Sequence, residues 1–252
     1  MSVIDAPVAL PKRVFLTAWG MLDLGELHPI FGTDIHFWAD DDASRQMHTR
    51  TMELLREHRL ARGDRLSPLW TRTLGVLASP GREFYGWSQY LGDGSHGGIL
   101  VAAHGDDAVR VLADDTTVAI EPVPAKWLAS KLLDALPDLD GADVRTVCVP
   151  QDFYNDPESA RSGPLSDPID TRDIDYLNAA MGRERDAVHQ LYTATRDGAG
   201  ERRRSTPVTA LDLTDGGRVL TYLTGDGEIL LTSGTPREVV KTLNDTASGL
   251  EA

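Results

Sequence analysis

The chain has 252 residues, a length that suits a single compact domain with a sizeable core. Hydrophobic residues make up 41% and charged residues 25%, proportions that are ordinary for a globular protein and exclude a disordered one. The formal net charge of -14 repels nucleic-acid phosphates, and the longest basic run, Arg202 to Arg204, is too short to offset it. We therefore expect a folded protein that does not bind nucleic acid.

The single cysteine and the N-terminus bear on the cellular compartment. One cysteine, Cys148, excludes an internal disulfide and points to a reducing compartment. Its setting, T-V-C-V-P, alternates like a strand, so we expect a small buried side chain there. The N-terminal stretch carries its positive charges after its apolar residues, the reverse of a signal peptide, and no apolar run could span a membrane. These features predict a soluble, cytoplasmic protein without stable membrane association.

Helical and strand patterns are mixed in the N-terminal part. Residues 14–24, V-F-L-T-A-W-G-M-L-D-L, are expected to start as a strand and to continue as a short helix or an irregular turn. A helix is predicted from an N-cap at Asp41 or Asp42 to about Ala61, and a second helix over 68–77 has proline in its first turn.

From residue 83 the pattern changes from helical to strand periodicity. Four short segments rich in aromatic and β-branched residues are separated by hairpin-sized links, so they predict an antiparallel meander followed by a helix over 124–136. The four segments are 83–91, 99–104, 108–113 and 117–123.

The order of elements then repeats. We predict a strand, a polar loop, a mostly helical stretch, three further strands, and a last helix that opens with the capping box T-P-R-E at 235–238. The corresponding ranges are 144–149, 151–170, 173–199, 207–213, 218–223 and 228–231. The repetition suggests one domain made of two related halves, about 1–137 and 138–252, which share one antiparallel sheet.

The glycines Gly92, Gly94 and Gly97 have the G-x-G-x-x-G spacing of a dinucleotide-binding loop. That loop requires a helix to open at its last glycine, because the helix N-terminus holds the pyrophosphate. Here I-L-V-A-A follows and reads as a strand, so a hairpin is favoured over a cofactor loop. Ser95 also fails as a nucleophile elbow, since Asp93 stands where the first glycine is needed.

One acidic stretch offers a possible metal site. His36, Asp40, Asp41, Asp42 and His48 could bind a cation, but the three aspartates stand where a helix starts and are better explained as caps. A metal-dependent enzyme that uses His36, Asp40 and His48 stays open as an alternative. A module that dimerises through an exposed sheet edge is a second alternative.

The order of elements and several sequence words resemble the EspG family, the cytosolic chaperones of ESX (type VII) secretion systems. The matching words are F-L-T-A-W-G-M-L-D-L, L-P-D-L, R-R-R-S-T-P-V-T-A-L-D-L-T-D-G-G-R-V-L-T-Y and T-P-R-E-V-V-K-T-L, and the resemblance covers essentially the whole chain. It implies an α+β fold with a central antiparallel sheet, quasi-two-fold related halves and a C-terminal helical bundle. It also implies a protein that is not an enzyme and needs no cofactor or metal.

Members of this family bind the apolar tip of PPE proteins in PE/PPE heterodimers before export. The family's binding surface comprises the loop between the second and third strands, one face of the sheet and the helical bundle. Carried over to this chain, the loop is 92–98, and the expected partner-binding residues are Tyr90, Leu91, Gly92, Asp93, Gly94, Ser95 and His96. Because the loop is compact, both a PE/PPE-like and a WXG-type secreted protein stay open as the partner. Both a monomer and a homodimer stay open as the oligomeric state.

Overall fold

The structure is a computed structural model and describes residues 2–32, 41–156 and 172–251. The N-terminal part contains β1 (Val8–Pro11), α1 (Lys12–Gly20), α2 (Asp41–Glu57), β2 (Ala61–Arg62), β3 (Arg65–Leu66), α3 (Pro68–Ala78), β4 (Arg82–Tyr90), β5 (His96–His104), β6 (Asp107–Ala113), β7 (Thr117–Pro122) and α4 (Leu128–Leu133). The C-terminal part contains β8 (Val147–Pro150), α5 (Gln151–Asn155), α6 (Arg172–Met181), β9 (Arg185–Arg196), β10 (Arg202–Arg204), β11 (Val208–Leu213), β12 (Arg218–Leu223), β13 (Glu228–Ser233) and α7 (Pro236–Glu251).

One large antiparallel sheet organises the described chain. Its order is β1-β7-β6-β5-β4-β9-β11-β12-β13-β8, with β10 paired to β9. The two central strands, β4 and β9, come from different parts of the chain and pair from Arg82 opposite Thr195 to Tyr90 opposite Ala187. On each side of this pair, the later strands of that part of the chain follow in sequence order, and the first strand of the part lies at the edge. The edge strand is β1 in the N-terminal part and β8 in the C-terminal part. The predicted antiparallel sheet is confirmed, whereas the origin of the halves 1–137 and 138–252 as a repeat stays a prediction.

The sheet carries helices on both faces. The front face, as we name it, holds α1, α2 and α3 over the N-terminal strands and α5 and α6 over the C-terminal strands. The back face holds α4 and α7, which pack together over the centre of the sheet. Cross-strand pairs set this division: Tyr85 and Tyr192 point to the front, and Leu191 points to the back. Two separate front layers therefore stand opposite one central back layer.

The two edge strands are built alike. β1 reads V-A-L-P and β8 reads V-C-V-P, and each is followed at once by a helix. The prolines precede α1 and α5 with nearly the same backbone angles, φ -54 and ψ 134 at Pro11 and φ -53 and ψ 130 at Pro150. Proline suits this position because its ring fixes φ and its missing N–H removes one donor from the ladder.

The strand expected at the start of 14–24 is wrong. The helix α1 occupies Lys12–Gly20, and its buried residues are Val14, Phe15, Ala18 and Trp19. These residues recur at helical spacing, and the Phe15 ring packs against that of Phe31 in a tilted contact with centroids 4.6 Å apart. The aromatic and β-branched composition that favours a strand here is used instead to bury one side of a helix.

The mostly helical assignment of 173–199 is also wrong in its second half. The helix α6 ends at Met181, and Arg185–Arg196 is β9, the longest strand of the sheet. Two smaller differences concern α5, which lies inside the expected loop 151–170, and α2, which ends at Glu57 rather than near Ala61. Cys148 is exposed on the edge strand β8 and not buried as expected, because its alternating neighbours Val147 and Val149 take the inward positions.

The C-terminal helix begins as predicted. The N–H of Glu238 donates to the Thr235 hydroxyl at 3.2 Å, which caps the first turn of α7. From there Val239 and Leu243 are fully buried against α4 and the back of the sheet. The cap thus sets the start of the helix that covers the centre of the back face.

Candidate partner-binding surface

The hairpin between β4 and β5 is a tight turn over residues 91–95. The N–H of Tyr90 donates to the Ser95 carbonyl at 2.8 Å, and the N–H of Leu91 donates to the Asp186 carbonyl at 2.8 Å. Inside the turn, the N–H of Ser95 donates to the Asp93 carboxylate at 2.9 Å, and hydrogen bonds from the Ser95 side chain and from this N–H lower the pKa of the exposed carboxyl. Gly94 has φ +72, a conformation that glycine adopts without strain. The turn therefore presents Leu91, which is 48% exposed, from a defined backbone.

The loop is shorter than the expected 92–98. His96 already belongs to β5, where it pairs with Gln89, and Gly97 and Gly98 continue the ladder opposite Ser88 and Trp87. A strand follows Ser95 and Gly97, so neither the dinucleotide loop nor the nucleophile elbow forms. The structure thus places Gly92, Asp93, Gly94 and Ser95 in the turn and Tyr90 and His96 at the strand ends that frame it.

A groove on the front face runs from this hairpin between the two front helical layers. It has a volume of about 360 Å³ and is lined by Trp87, Gln89, Val188 and Gln190, with His96 at the hairpin end. The lining residues of β4 and β9 lie directly opposite one another, Trp87 beside Gln190 and Gln89 beside Val188. Both glutamines are exposed, whereas the tryptophan and the valine are half-buried. We call this the front groove; its floor alternates amide and apolar side chains.

An aromatic row continues the front groove away from the hairpin. The Trp87 ring lies 5.7 Å from the Tyr192 ring in a T-shaped contact, and Tyr192 stacks on Tyr85 at 5.3 Å with the planes 14° apart. Two arginines of β10 cover these rings: the Arg204 guanidinium lies 5.2 Å from the Tyr192 centroid, and that of Arg202 lies 5.5 Å from the Tyr85 centroid. Aromatic and arginine side chains are the types that contribute most to protein interfaces.

The back face has a second uncovered strip, beyond α4. Leu112, 40% exposed, and Ala119 line two adjoining cavities there, one of which reaches Tyr90 and Gly97 at the base of the hairpin. This strip lies over the outer N-terminal strands only. Helices flank it on one side, whereas the front groove has helices on both sides.

Beneath the hairpin, four buried polar side chains form a chain across the back of β4, β9, β11 and β12. Ser88 Oγ lies 2.7 Å from His189 Nδ1, and His189 Nε2 lies 2.9 Å from Asp212 Oδ2. Arg218 donates to both Asp212 oxygens at 2.6 and 2.9 Å and to the Pro137 carbonyl at 3.0 Å. We call these four residues, Ser88, His189, Asp212 and Arg218, the buried tetrad.

Proton positions in the buried tetrad follow from its partners. The carboxylate of Asp212 only accepts, so His189 donates to it from Nε2; in a neutral ring, Nδ1 then accepts from the Ser88 hydroxyl. Burial raises the pKa of Asp212, but hydrogen bonds from His189 and Arg218 oppose this and hold the pKa below its ordinary value. The ring of Tyr90 meets His189 edge to face at 5.9 Å, so the tetrad also supports the strand that enters the hairpin.

Serine, histidine and aspartate in this order have the composition of a hydrolase triad. Ser88, however, lies inside β4, which is paired on both sides with β5 and β9. Backbone N–H groups in such a strand are used by the ladders and cannot form an oxyanion hole beside the hydroxyl. Arg218 also neutralises Asp212, and the hydrogen bonds of the tetrad link both parts of the chain.

A second buried polar cluster lies on the front face below Arg202. The Glu83 carboxylate, 2% exposed, receives Arg202 Nε at 2.5 Å and lies 3.4 Å from His28 Nε2. Burial raises the pKa of Glu83 against the opposing effect of Arg202, and burial lowers the pKa of His28 to about 3. His28 Nδ1 accepts from the Ile30 N–H at 3.3 Å, so its proton lies on Nε2, facing Glu83. The histidine is therefore neutral, and its contact with Glu83 is not an ion pair.

Of the candidate metal ligands, His36 and Asp40 lie outside the described residues. Asp42 is exposed near the start of α2 and pairs with Arg45, and His48 is exposed about 1.7 turns further on. Among the described residues, no group of three or more potential ligands could hold a metal ion. None of the described helices combines the length and the apolar composition that crossing a bilayer needs.

The profile of the EspG family matches residues 11–245. The chain belongs to the EspG family. No curated protein sequence matches it. Among solved structures, this EspG-family fold is similar to the Mycobacterium tuberculosis type VII secretion system chaperone EspG5, whose structure was determined in complex with a PE25-PPE41 dimer. The two share 17% identity over 95% of this chain and 96% of EspG5, with a TM-score of 0.70.

The buried tetrad and the Glu83 cluster are the parts of this site that the sequence does not reveal. Ser88 and His189 are 101 positions apart, and Arg202 and Glu83 are 119 apart. The one local signal is a histidine at an inward position of a strand, which becomes visible only after β9 is recognised as a strand.

Proposed function

We propose that this EspG-family chain is a cytoplasmic type VII secretion chaperone that binds a PE/PPE heterodimer, keeps it soluble and presents it for export. The observation that carries the proposal is the fold: nearly the whole chain superposes on a chaperone solved with a PE/PPE dimer. The family match over 11–245 supports it. A WXG-type secreted protein would present a similar helical end and is the alternative partner. We call the secreted protein that this chain binds the passenger.

We further propose that the passenger occupies the front groove and contacts the hairpin 91–95. Helical layers stand on both sides of this groove, so a helical tip would meet side walls as well as a floor. The exposed Leu91 and the half-buried Trp87 supply apolar anchors, and Gln89 and Gln190 supply hydrogen bonds. An apolar centre with a polar margin is the usual build of a specific interface.

The decisive experiment is co-expression with the PE/PPE pair encoded in the same gene cluster. Size-exclusion chromatography with light scattering should show a stable complex with one copy of each chain. Gln190→Trp, which fills the front groove, should abolish the complex, whereas Leu112→Trp, at another exposed position on the back face, should leave it intact. If the pair is soluble and monodisperse without this chain and does not bind it, the chaperone function is wrong; if only Leu112→Trp prevents binding, the face is wrong.

We also propose that the chain is not an enzyme, including at the buried tetrad. A fluorophosphonate probe tests this directly, because it labels serines that a neighbouring histidine activates for attack. We expect no labelling of the wild type beyond that of Ser88→Ala. Labelling that the Ser88→Ala substitution removes would show that the tetrad is a catalytic centre.

A further inference from the structure

We propose that Arg204 is an acid-binding residue of the front groove and receives a carboxylate from the bound passenger. As to the identity of the passenger, this inference rests on the function proposed above. It goes beyond that function because it predicts a chemical feature of the passenger, an acidic side chain at a defined distance from the hairpin.

The first step is position. Arg204 lies on β10 opposite Ala194 of β9, and its guanidinium covers the front side of Tyr192. Tyr192 contacts Trp87, which lines the front groove, so the exposed guanidinium stands at the end of the groove farthest from the hairpin. Arg204 is thus part of the same surface as the groove floor.

The second step is charge. Among the described residues no carboxylate lies within ion-pair distance of Arg204, whereas its neighbour on the same face, Arg202, is paired with Glu83. The positive charge of Arg204 is therefore not balanced by a carboxylate among the described residues. The guanidinium lies over the Tyr192 ring, 5.2 Å from its centroid, a cation–π contact that leaves N–H groups available to a carboxylate. Charge complementarity therefore favours an acidic group at this end of the groove over an apolar or basic one.

The third step is distance. From Val188, near the hairpin, to Ala194, opposite Arg204, β9 advances six residues, or about 20 Å at about 3.3 Å per residue. A helix covers about 20 Å in about thirteen residues. A helical passenger that touches the hairpin at one end should therefore carry an Asp or Glu about three to four turns away.

Two adjacent arginines provide a matched test. Arg204→Glu reverses the charge in the groove, and Arg203→Glu makes the same change one residue earlier on β10, where the exposed side chain points to the back face opposite Thr195. Binding of the gene-cluster PE/PPE pair to each variant is measured by titration calorimetry, with circular dichroism to verify folding. We expect Arg204→Glu to weaken binding about tenfold or more and Arg203→Glu by less than about twofold.

Two further readouts make the result specific. The affinity of the wild type should fall with added salt more steeply than that of Arg204→Gln, because the proposed ion pair is screened. A Glu→Lys or Asp→Lys change in the passenger, at the predicted distance, should restore binding to Arg204→Glu. If the wild type binds the pair and the two arginine variants bind it equally well, the role of Arg204 is refuted while the chaperone function stands. If the wild type does not bind the pair, both proposals are refuted.

Discussion

His189 Nε2 lies 2.9 Å from Asp212 Oδ2 on the adjacent strand, with both side chains buried. The same carboxylate neutralises Arg218, which is 1% exposed. We predict that Asp212→Asn lowers the free energy of unfolding by about 3 kcal/mol or more, because it leaves a guanidinium buried without its counter-charge. Urea unfolding at pH 7 measures this loss.

The control for this prediction is Asp215→Asn. Asp215 also pairs with an arginine, Arg183, but its side chain is 61% exposed. Loss of such a surface pair costs about 0 to 1 kcal/mol. Equal losses in the two variants would contradict the importance of burial at the tetrad.

Acid should destabilise the protein through His28. Burial lowers the pKa of His28 to about 3, below the value near 6.5 that histidine has in the unfolded chain. Between these values the unfolded chain binds one more proton than the folded chain, so stability is lost as the pH falls from about 6.5. We expect the wild type to lose about 1.2 kcal/mol more than His28→Asn between pH 6 and pH 5. Chemical denaturation across this range measures both slopes.

The effect of Glu83 titration on stability must be removed from this comparison. Its raised pKa acts in the opposite direction, since a carboxyl of this kind contributes stability that is present at low pH and lost as the pH rises through the folded pKa. The histidine effect is therefore measured in a Glu83→Gln background. Parallel pH profiles with and without His28 would show that the histidine is not held neutral.

The centre of the sheet should not tolerate a side chain at Gly86. A Cβ at this position would lie 2.4 Å from the Gln190 carbonyl oxygen and 2.9 Å from a Leu191 methyl carbon. We expect Gly86→Ala to cost about 1 to 3 kcal/mol, because β4 and β9 must separate to accept it. Gly92→Ala is the control, since nothing lies within 4 Å of its added Cβ. Thermal unfolding compares them, and equal melting temperatures would disprove the close approach.

The hairpin leucine should matter for binding and not for folding. Leu91 is 48% exposed, so Leu91→Asp should leave the melting temperature within about 2 °C of the wild type, as surface substitutions do. If it anchors the passenger, the same change should weaken binding of the PE/PPE pair about tenfold or more. Leu112→Asp, on the back face, should bind as the wild type does. Normal affinity for Leu91→Asp would remove the hairpin from the binding surface.

The local sequence pattern predicts the strands of the sheet well where turn residues separate them. The meander β4 to β7 is predictable because Gly- and Asp-containing links separate short apolar segments. The pattern does not predict β9, because polar His189 and Thr193 point inward while Val188 and Tyr192 lie on the more open face. Burial does alternate along β9, but hydrophobicity does not, since the inward polar groups are satisfied by partners far away in sequence.

The candidate site shows the same limit. Sequence resemblance indicates the hairpin residues, since the turn chemistry at Asp93 and Gly94 is local. The front groove and the cation–π contact of Arg204 with Tyr192 depend instead on the pairing of β4, β9 and β10, which only the folded chain brings together. The run of three arginines is visible in the sequence. The sequence does not show that Arg203 points to the back face of the sheet while Arg202 and Arg204 point to the front face.

The alike edge strands have a consequence for assembly. Each outermost strand has only four residues, ends in proline and turns immediately into helix. Such margins give an incoming polypeptide few free amides to dock on, which discourages growth of the sheet by addition of foreign or identical strands. A chaperone that binds an aggregation-prone protein benefits from such short edge strands. It can hold the exposed apolar surface of that protein while its own sheet edges do not pair with further chains and start a fibril.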